Sequence, residues 1–266
     1  MKSDSYSKTV FCIDIGNTSA HCGVVQVGLE QLSVQNQKKI QTSAIGSELL
    51  ELLATVAADA IVYCSVVPAQ TELLKALLAD FRGAVLHLNH QFCPGLKIHY
   101  PKPEEIGQDR LANAIAAQAL YGVPSVVIDM GTAVTFDVVT EKGYEGGIIA
   151  PGLEVMTRYL HEQTALLPKL NSEDLMMPTE IIGKSTRAAM RAGCLVGCTG
   201  MIQALLRRVV QQLVQVEGAS QPIVIGTGGN AGTLLKDSVP EIVIEPNMTL
   251  LGLAEAFRRS AFMHEC

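Results

Sequence analysis

The chain has 266 residues, of which 48% are hydrophobic and 17% charged, and its net charge is −6. That length and apolar content suffice for one large or two modest domains with buried cores, and they exclude a disordered chain. The negative balance, without an extended run of Lys or Arg, argues against a nucleic-acid surface, because such binding is driven largely by neutralising phosphates.

Residues Met1 to Ser7 are polar, and the apolar run behind them is broken by Asp14, so no secretory signal and no membrane span is expected. Seven cysteines without Cys-x-x-Cys spacing suit reduced thiols in a cytoplasm better than a disulfide framework. Cys194 and Cys198, four apart on an expected helix, read as core packing rather than metal ligands.

Val10 to Ile13 reads as a buried strand that ends in the turn Asp14-Ile15-Gly16-Asn17-Thr18. Cys22 to Val27 and Leu32 to Ile40 continue it as a three-stranded meander. Ser47 is expected to N-cap the next helix, with Glu48 in its first turn and Leu49, Leu52 and Leu53 on its apolar face. Strand 60–66, a helix entered through Pro68 and strand 84–88 complete the first half. The second half opens with a helix ending near Gly122, then strands near 126–129, 133–139 and 143–150. A helical region from Pro151 to about Gly218, strands 222–225 and 241–245, and a closing helix from about Thr249 to Phe262 follow.

The motif that organises the second half is Ile128-Asp129-Met130-Gly131-Thr132-Ala133, a β-branched strand ended by an acidic residue and a glycine turn. Alone it is equally well read as an aspartate capping its own hairpin. The turn at Asp14 repeats its order, however, and internal similarity at this scale suggests a duplicated α/β unit, spanning 1–106 and 107–266. Two such turns facing each other would clamp phosphates through backbone N–H groups.

Between the halves, Gly107-Gln108-Asp109-Arg110 opens a helix behind Pro101 and Pro103. Asp109 reads either as an N-cap or as a carboxylate that takes a proton from an alcohol while Arg110 grips an anionic substrate. Gly226 to Ala231 and Gly146 to Gly152 are glycine-rich turns suited to close approach of a ligand. Gly183-Lys184-Ser185-Thr186 imitates a P-loop, but Pro178 stands where its first glycine is required. Lys184, Ser185 and Thr186 then read as substrate-facing donors, or Ser185 as a helix cap. The six histidines form no ligand pair, and no Ser-His or Cys-His nucleophile is readable.

Taken in order, the Asp14 turn, Gly107 to Arg110, Asp129 to Ala133, Gly146 to Gly152, Gly183 to Thr186, Thr227-Gly228-Gly229 and Leu250 to Leu253 resemble the type III pantothenate kinases of bacteria over nearly the whole chain. The resemblance implies a duplicated actin-like, ribonuclease H-like α/β fold with ATP held between the halves, and phosphorylation of the primary hydroxyl of pantothenate, the first step towards coenzyme A. It implies ATP contacts from Asp14, Ile15, Gly16, Asn17, Thr18, Ser19, Ala20, His21 and Thr132. Pantothenate contacts are implied for Tyr100, Gly107, Gln108, Asp109, Arg110 and Thr186, with Asp109 as proton acceptor. A monovalent cation, K+ or NH4+, falls to Asp129, and Mg2+ bridges the nucleotide phosphates, held by a carboxylate such as Asp14. A cytoplasmic homodimer is implied, with residues 1–8 beyond the family's usual start and dispensable. The run Ser19 to Cys22 departs from the residues usual in this loop. A related sugar kinase and a non-catalytic ATP-binding regulatory protein are the other readings.

Overall fold

The computed structural model describes residues 7–216 and 218–262. Most of the expected N-terminal extension, along with His264 and Cys266, lies outside them.

The alternating pattern of the first forty residues folds as the expected antiparallel meander of β1 (Lys8–Ile15), β2 (Ser19–Val27) and β3 (Leu32–Gln41). Next come α1 (Ile45–Thr55), β4 (Ala60–Ser65), α2 (Pro68–Leu77) and β5 (Ala84–His87). The first sheet has the order β3-β2-β1-β4-β5, with β1, β4 and β5 parallel. Every residue of β4 is buried, as an unbroken apolar strand at the centre of a covered sheet requires. Pro68 occupies the first turn of α2, where its missing N–H costs nothing. Ser47 does not cap α1. That helix starts two residues earlier, at Ile45, and the Ser47 hydroxyl donates back to the Ala44 carbonyl.

The second half contains α3 (Gln108–Ala116), which runs on through a π-helical turn to Tyr121 and is ended by Gly122 at φ 91°. Then come β6 (Ser125–Met130), β7 (Ala133–Thr140), β8 (Gly143–Pro151), α4 (Leu153–Glu162), α5 (Thr186–Gln211), β9 (Ile223–Thr227), α6 (Ala231–Leu234), β10 (Val243–Ile244) and α7 (Met248–Phe262). The second sheet has the order β10-β9-β6-β7-β8. Read from β8, it repeats the first: β8, β7, β6, β9 and β10 stand where β3, β2, β1, β4 and β5 stand. The Asp14 and Asp129 turns therefore close equivalent hairpins.

The continuous helical region expected after Pro151 is instead two helices. Pro151 ends β8, Gly152 is the N-cap of α4, and residues 163–185 are irregular apart from one short turn at Ser172–Asp174. Pro168 and Pro178 fall in this segment, where their rings and missing N–H groups oppose a helix. Ser185 caps α5, its hydroxyl accepting the Ala188 N–H at 3.2 Å. With the π-helical turn behind it, the segment Thr186–Gln215 is long and apolar enough to cross a membrane, contrary to expectation. Its buried positions, among them Met190, Cys194, Leu195, Cys198 and Ile202, form the core-facing stripe of a globular helix.

The chain divides into two compact units, one of Met1–Val123, Asp137–Gly146 and Asn247–Cys266, the other of Pro124–Phe136 and Gly147–Pro246. In the first, α1 and α2 cover the sheet face that carries Phe11, Ile13 and Ile15. The alternate residues Val10, Cys12 and Asp14 point to the opposite face. There Leu250 of α7 lies against Gly23, the register partner of Cys12. Gly252 of α7 meets α3 at backbone distance, and a Cβ there would collide with the Ala112 carbonyl. In the second unit the core is built on Val126, Val127, Ile128 and Ile225, with Leu195 and Leu234 from its helices.

Candidate active site

Gly107 is the N-cap of α3 and makes no side-chain cap, so Asp109, two positions further on, is not the N-cap. Asp109 is the second helical residue, and its Oδ1 accepts the Arg110 N–H at 2.8 Å, an N–H that also donates to Gly107 O at 3.1 Å. Gly107 is needed beside it, since a Cβ there would stand 2.6 Å from that oxygen. Burial is the main influence on the Asp109 carboxyl and raises it above the usual carboxylate range, while the helix N–H groups and Arg110 pull it back.

Arg110 turns the other way. Its Nε donates to Asp137 Oδ1 at 2.7 Å, and the Tyr144 hydroxyl donates to the same oxygen at 2.9 Å. The guanidinium carbon stands 6.0 Å from the Tyr144 ring centre, within the range of a cation–π attraction. Asp137 is wholly buried, and burial pushes its carboxyl up to about 7 against the pull of Arg110. Tyr100 packs on Gly146, where a Cβ would come within 3.4 Å of its ring.

Asp14, at the end of β1, is the register partner of Cys64 on β4, and the Cys64 thiol donates to its Oδ1 at 3.3 Å. That thiol is held far above its ordinary range, first by burial and then by the charges of Asp14 and Asp109. Cys64 thus feels both carboxylates. In the turn that follows, Gly16 N–H donates to Ser19 O at 3.1 Å and Thr42 Oγ1 donates to Gly16 O at 2.8 Å. Asn17 and Thr18 are exposed. Ile15 and Ala20 are buried in the apolar cluster, so their side chains are closed to a ligand, and Ser19 is half-buried. His21 is half-buried, with Nε2 3.3 Å from Gln37 Oε1, and burial lowers its pKa.

Gln108, the first residue of α3, lines a cavity of about 430 Å3 together with Ser65, Thr71, Glu72, Glu105 and Gly107. Its Oε1 accepts the Ser65 N–H at 2.8 Å and stands 2.8 Å from His87 Nε2.

In the second unit, Asp129, next to last in β6, stands opposite Thr227 of β9. Gly228, at φ 87°, lies so close that a Cβ would come within 2.6 Å of Asp129 Oδ1. Gly131 N–H donates to Ala133 O at 3.1 Å, and Gly152 N–H donates to Thr132 O, also at 3.1 Å. The three glycine-bearing turns singled out in the sequence thus converge on Asp129 and Thr132. Gly131 and Thr132 are exposed, and so is Thr186 at the first residue of α5. His161 is turned to its own chain, with Nδ1 2.8 Å from Leu167 O.

Four residues around these groups escaped sequence reasoning. Asp137 and Tyr144 anchor Arg110, Cys64 donates to Asp14, and His87 meets Gln108. A buried acidic residue inside the apolar strand 133–140 was the one available signal, since a charge at such a position requires a partner.

Two sheets of one topology, each with an Asp-x-Gly hairpin at the same place, make this an actin-like α/β fold. A glucokinase of the ROK family from Streptomyces griseus, solved with glucose and AMPPNP, matches at a TM-score of 0.51 with 13% identity, covering 93% of this chain and 97% of its own. A conserved putative Baf family transcriptional activator from Campylobacter jejuni matches at 0.56 with 18% identity, covering 95% and 99%. The chain belongs to the type III pantothenate kinase family, whose family model matches residues 10–208. The type III pantothenate kinase of Methylacidiphilum infernorum is 39% identical over 243 residues, 91% of this chain and 85% of that protein.

Proposed function

We propose that the chain transfers the terminal phosphoryl group of ATP to the primary hydroxyl of pantothenate in the cytoplasm, as the first step of coenzyme A synthesis. The observation that carries this reading is Asp109, a buried carboxylate at the start of α3 with Arg110 beside it, sharing the environment of Cys64 with Asp14. Phosphoryl transfer passes through a loose transition state, so positioning and charge neutralisation do most of the work. Asp109 orients the hydroxyl and accepts its proton late, and a carboxyl whose pKa burial raises is a better proton acceptor than an exposed one. Arg110, Tyr100, Gly107, Gln108 and Thr186 hold pantothenate. The backbone of residues 14–21 and the Thr132 hydroxyl hold ATP.

Among the described residues no group of three or more His, Cys, Asp or Glu could hold a metal. Asp14, a half-buried carboxylate, fits Mg2+, which binds through one or two carboxylates plus substrate phosphates. Mg2+ supplies neutralisation of phosphate charge. Asp129, packed against the Gly228 backbone, fits K+ or NH4+ better than a divalent cage, with a single carboxylate among backbone groups.

The repeated strand order supports 1–106 and 107–266 as the duplicated halves. A homodimer is supported by a largely apolar groove of about 440 Å3 along α4 and α5, lined by Met156, Tyr159, Leu160, Met190 and Gly193. Free thiols at six described cysteines suit a reducing compartment. The test is ADP release from purified protein given ATP, Mg2+ and K+ with pantothenate or with a panel of sugars. Release with a sugar and none with pantothenate would sink this reading in favour of a sugar kinase. No release with any alcohol would leave the regulatory one.

A further inference from the structure

His87 lies outside the family motifs, on the last residue of β5, yet it reaches the helix that carries Asp109. Its register partner on β4 is Tyr63, and the two rings stack at 4.5 Å between centroids with planes 7° apart. The stack fixes the plane of the imidazole. Its Nε2 then stands 2.8 Å from Gln108 Oε1, which also faces the Ser65 N–H at 2.8 Å. A backbone N–H only donates, so the Gln108 atom facing it is the amide oxygen. That oxygen only accepts, so His87 donates from Nε2. Burial lowers the His87 pKa, which favours the neutral ring with this tautomer.

Two donors on one oxygen lock the carboxamide. The Gln108 NH2 group has no hydrogen-bond partner among the described residues, and Gln108 lines the cavity of about 430 Å3 ahead of α3. Its N–H groups are therefore held for an acceptor atom entering that cavity. Without His87, the carboxamide keeps only the Ser65 N–H on its oxygen and can swing about that single bond, so its NH2 group is no longer held in one direction.

We propose that His87 is a positioning residue for the acceptor substrate, holding the Gln108 amide so that its N–H groups meet a carbonyl or carboxylate oxygen of that molecule. The proposal rests on the kinase reading above for the identity of the acceptor, pantothenate, which carries both kinds of oxygen. Tyr63 keeps the ring in plane, and Ser65 supplies the second fixed donor.

The test uses the full chain with four variants. His87→Phe keeps the stack and removes the donor, His87→Gln restores a donor at the place of Nε2, Gln108→Ala removes the amide, and the fourth combines His87→Phe with Gln108→Ala. With ATP saturating, His87→Phe should raise KM for pantothenate about five- to tenfold, the weight of one hydrogen bond, with kcat within about twofold. His87→Gln should return KM to within about twofold of wild type. The double variant should have the KM of Gln108→Ala alone, because His87 acts through the amide. An unchanged KM in His87→Phe, or additive losses in the double variant, overturns the proposal. Absence of pantothenate turnover by the wild type would count against the function reading instead. The locking step is then read by nitrogen NMR, which should show the His87 proton on Nε2 and one sharp Gln108 amide pair that broadens in His87→Phe and sharpens in His87→Gln. A wild-type ring protonated at Nδ1 alone overturns it.

Discussion

Arg110 and Asp137, 27 residues apart in sequence, are joined by a hydrogen bond of 2.7 Å in which the carboxylate is wholly buried and the arginine nearly so. Removing one partner of such a pair strands the other without water or counter-charge. Asp137→Ala is expected to cost about 3 kcal/mol of stability or more. Asp137→Asn, which still accepts from Tyr144 and Arg110, should cost less. Urea unfolding of the two variants checks this, and an Asp137→Ala midpoint equal to wild type would refute the anchoring role.

The same burial gives a pH signature. Asp137 is pushed up to about 7 and Asp109 is raised as well, and the roles proposed for both require the anion. Pantothenate kcat/KM should therefore climb with pH to about 7 and level off above it. Stability runs the opposite way. An unfolded carboxyl releases its proton near pH ~4, whereas folded Asp137 keeps its own to about 7. Between those values the native state holds more protons, so this group's contribution to stability falls as pH rises. The wild-type minus Asp137→Asn difference in unfolding free energy should shrink from pH 5 to pH 8, and the variant's rate profile should lose part of its acid limb. Parallel slopes for the two proteins would remove Asp137 from the account.

Elements with a local cause were legible in the sequence. Pro68 at a helix start, Ser185 as a cap, Gly122 as a helix end and the two Asp-x-Gly hairpins each depend on neighbours a few residues away. Arg110–Asp137, Gln108–His87 and Asp14–Cys64 were not legible, because strand register and helix placement decide which distant side chains meet. Ser47 misled for a related reason. A serine before an apolar run resembles a cap, but packing of Ile45 in the core began the helix earlier. The residues between α4 and α5 were overread because an apolar pattern with two prolines still looks helical when only periodicity is counted.

Asp109→Asn should abolish most turnover while leaving the melting temperature near wild type. The amide still accepts the Arg110 N–H, as Asp109 Oδ1 does at 2.8 Å, but it accepts no proton from the alcohol. The expected loss is about 10²–10⁴-fold in kcat. Near wild-type activity would reduce Asp109 to a helix-end ligand of backbone N–H groups.

Asp129 and Gly228 make a paired test of the cation. Activity is expected to require K+ or NH4+, with Na+ a poor substitute, and Asp129→Ala should remove that dependence along with most ATP binding. Gly228→Ala should act in the same direction without touching the carboxylate, because a Cβ would enter within 2.6 Å of Asp129 Oδ1 at a backbone φ of 87°. Equal wild-type rates in K+, Na+ and choline at fixed ionic strength would end the cation assignment.

The last prediction concerns assembly. On α4 and α5, Tyr159 is 62% and Val196 40% exposed, and the groove between the two helices is almost wholly apolar. A second copy of the chain covers such a face most simply through a two-fold contact. Gly193 and Gly197 lie one turn apart on α5, and a Cβ at either would meet nothing within 4 Å. No described residue of the subunit therefore requires glycine there, whereas close approach of another helix does. Gly193→Arg with Gly197→Arg should leave the monomer folded, with equal or higher helix propensity, and should halve the mass seen by light scattering. If the partner also closes the pantothenate pocket, pantothenate KM should rise in the same variant, and dilution of the wild type should lower specific activity as mass falls. A wild-type protein that is monomeric and fully active at every concentration would end the idea, and so would an arginine pair that leaves a dimer unchanged.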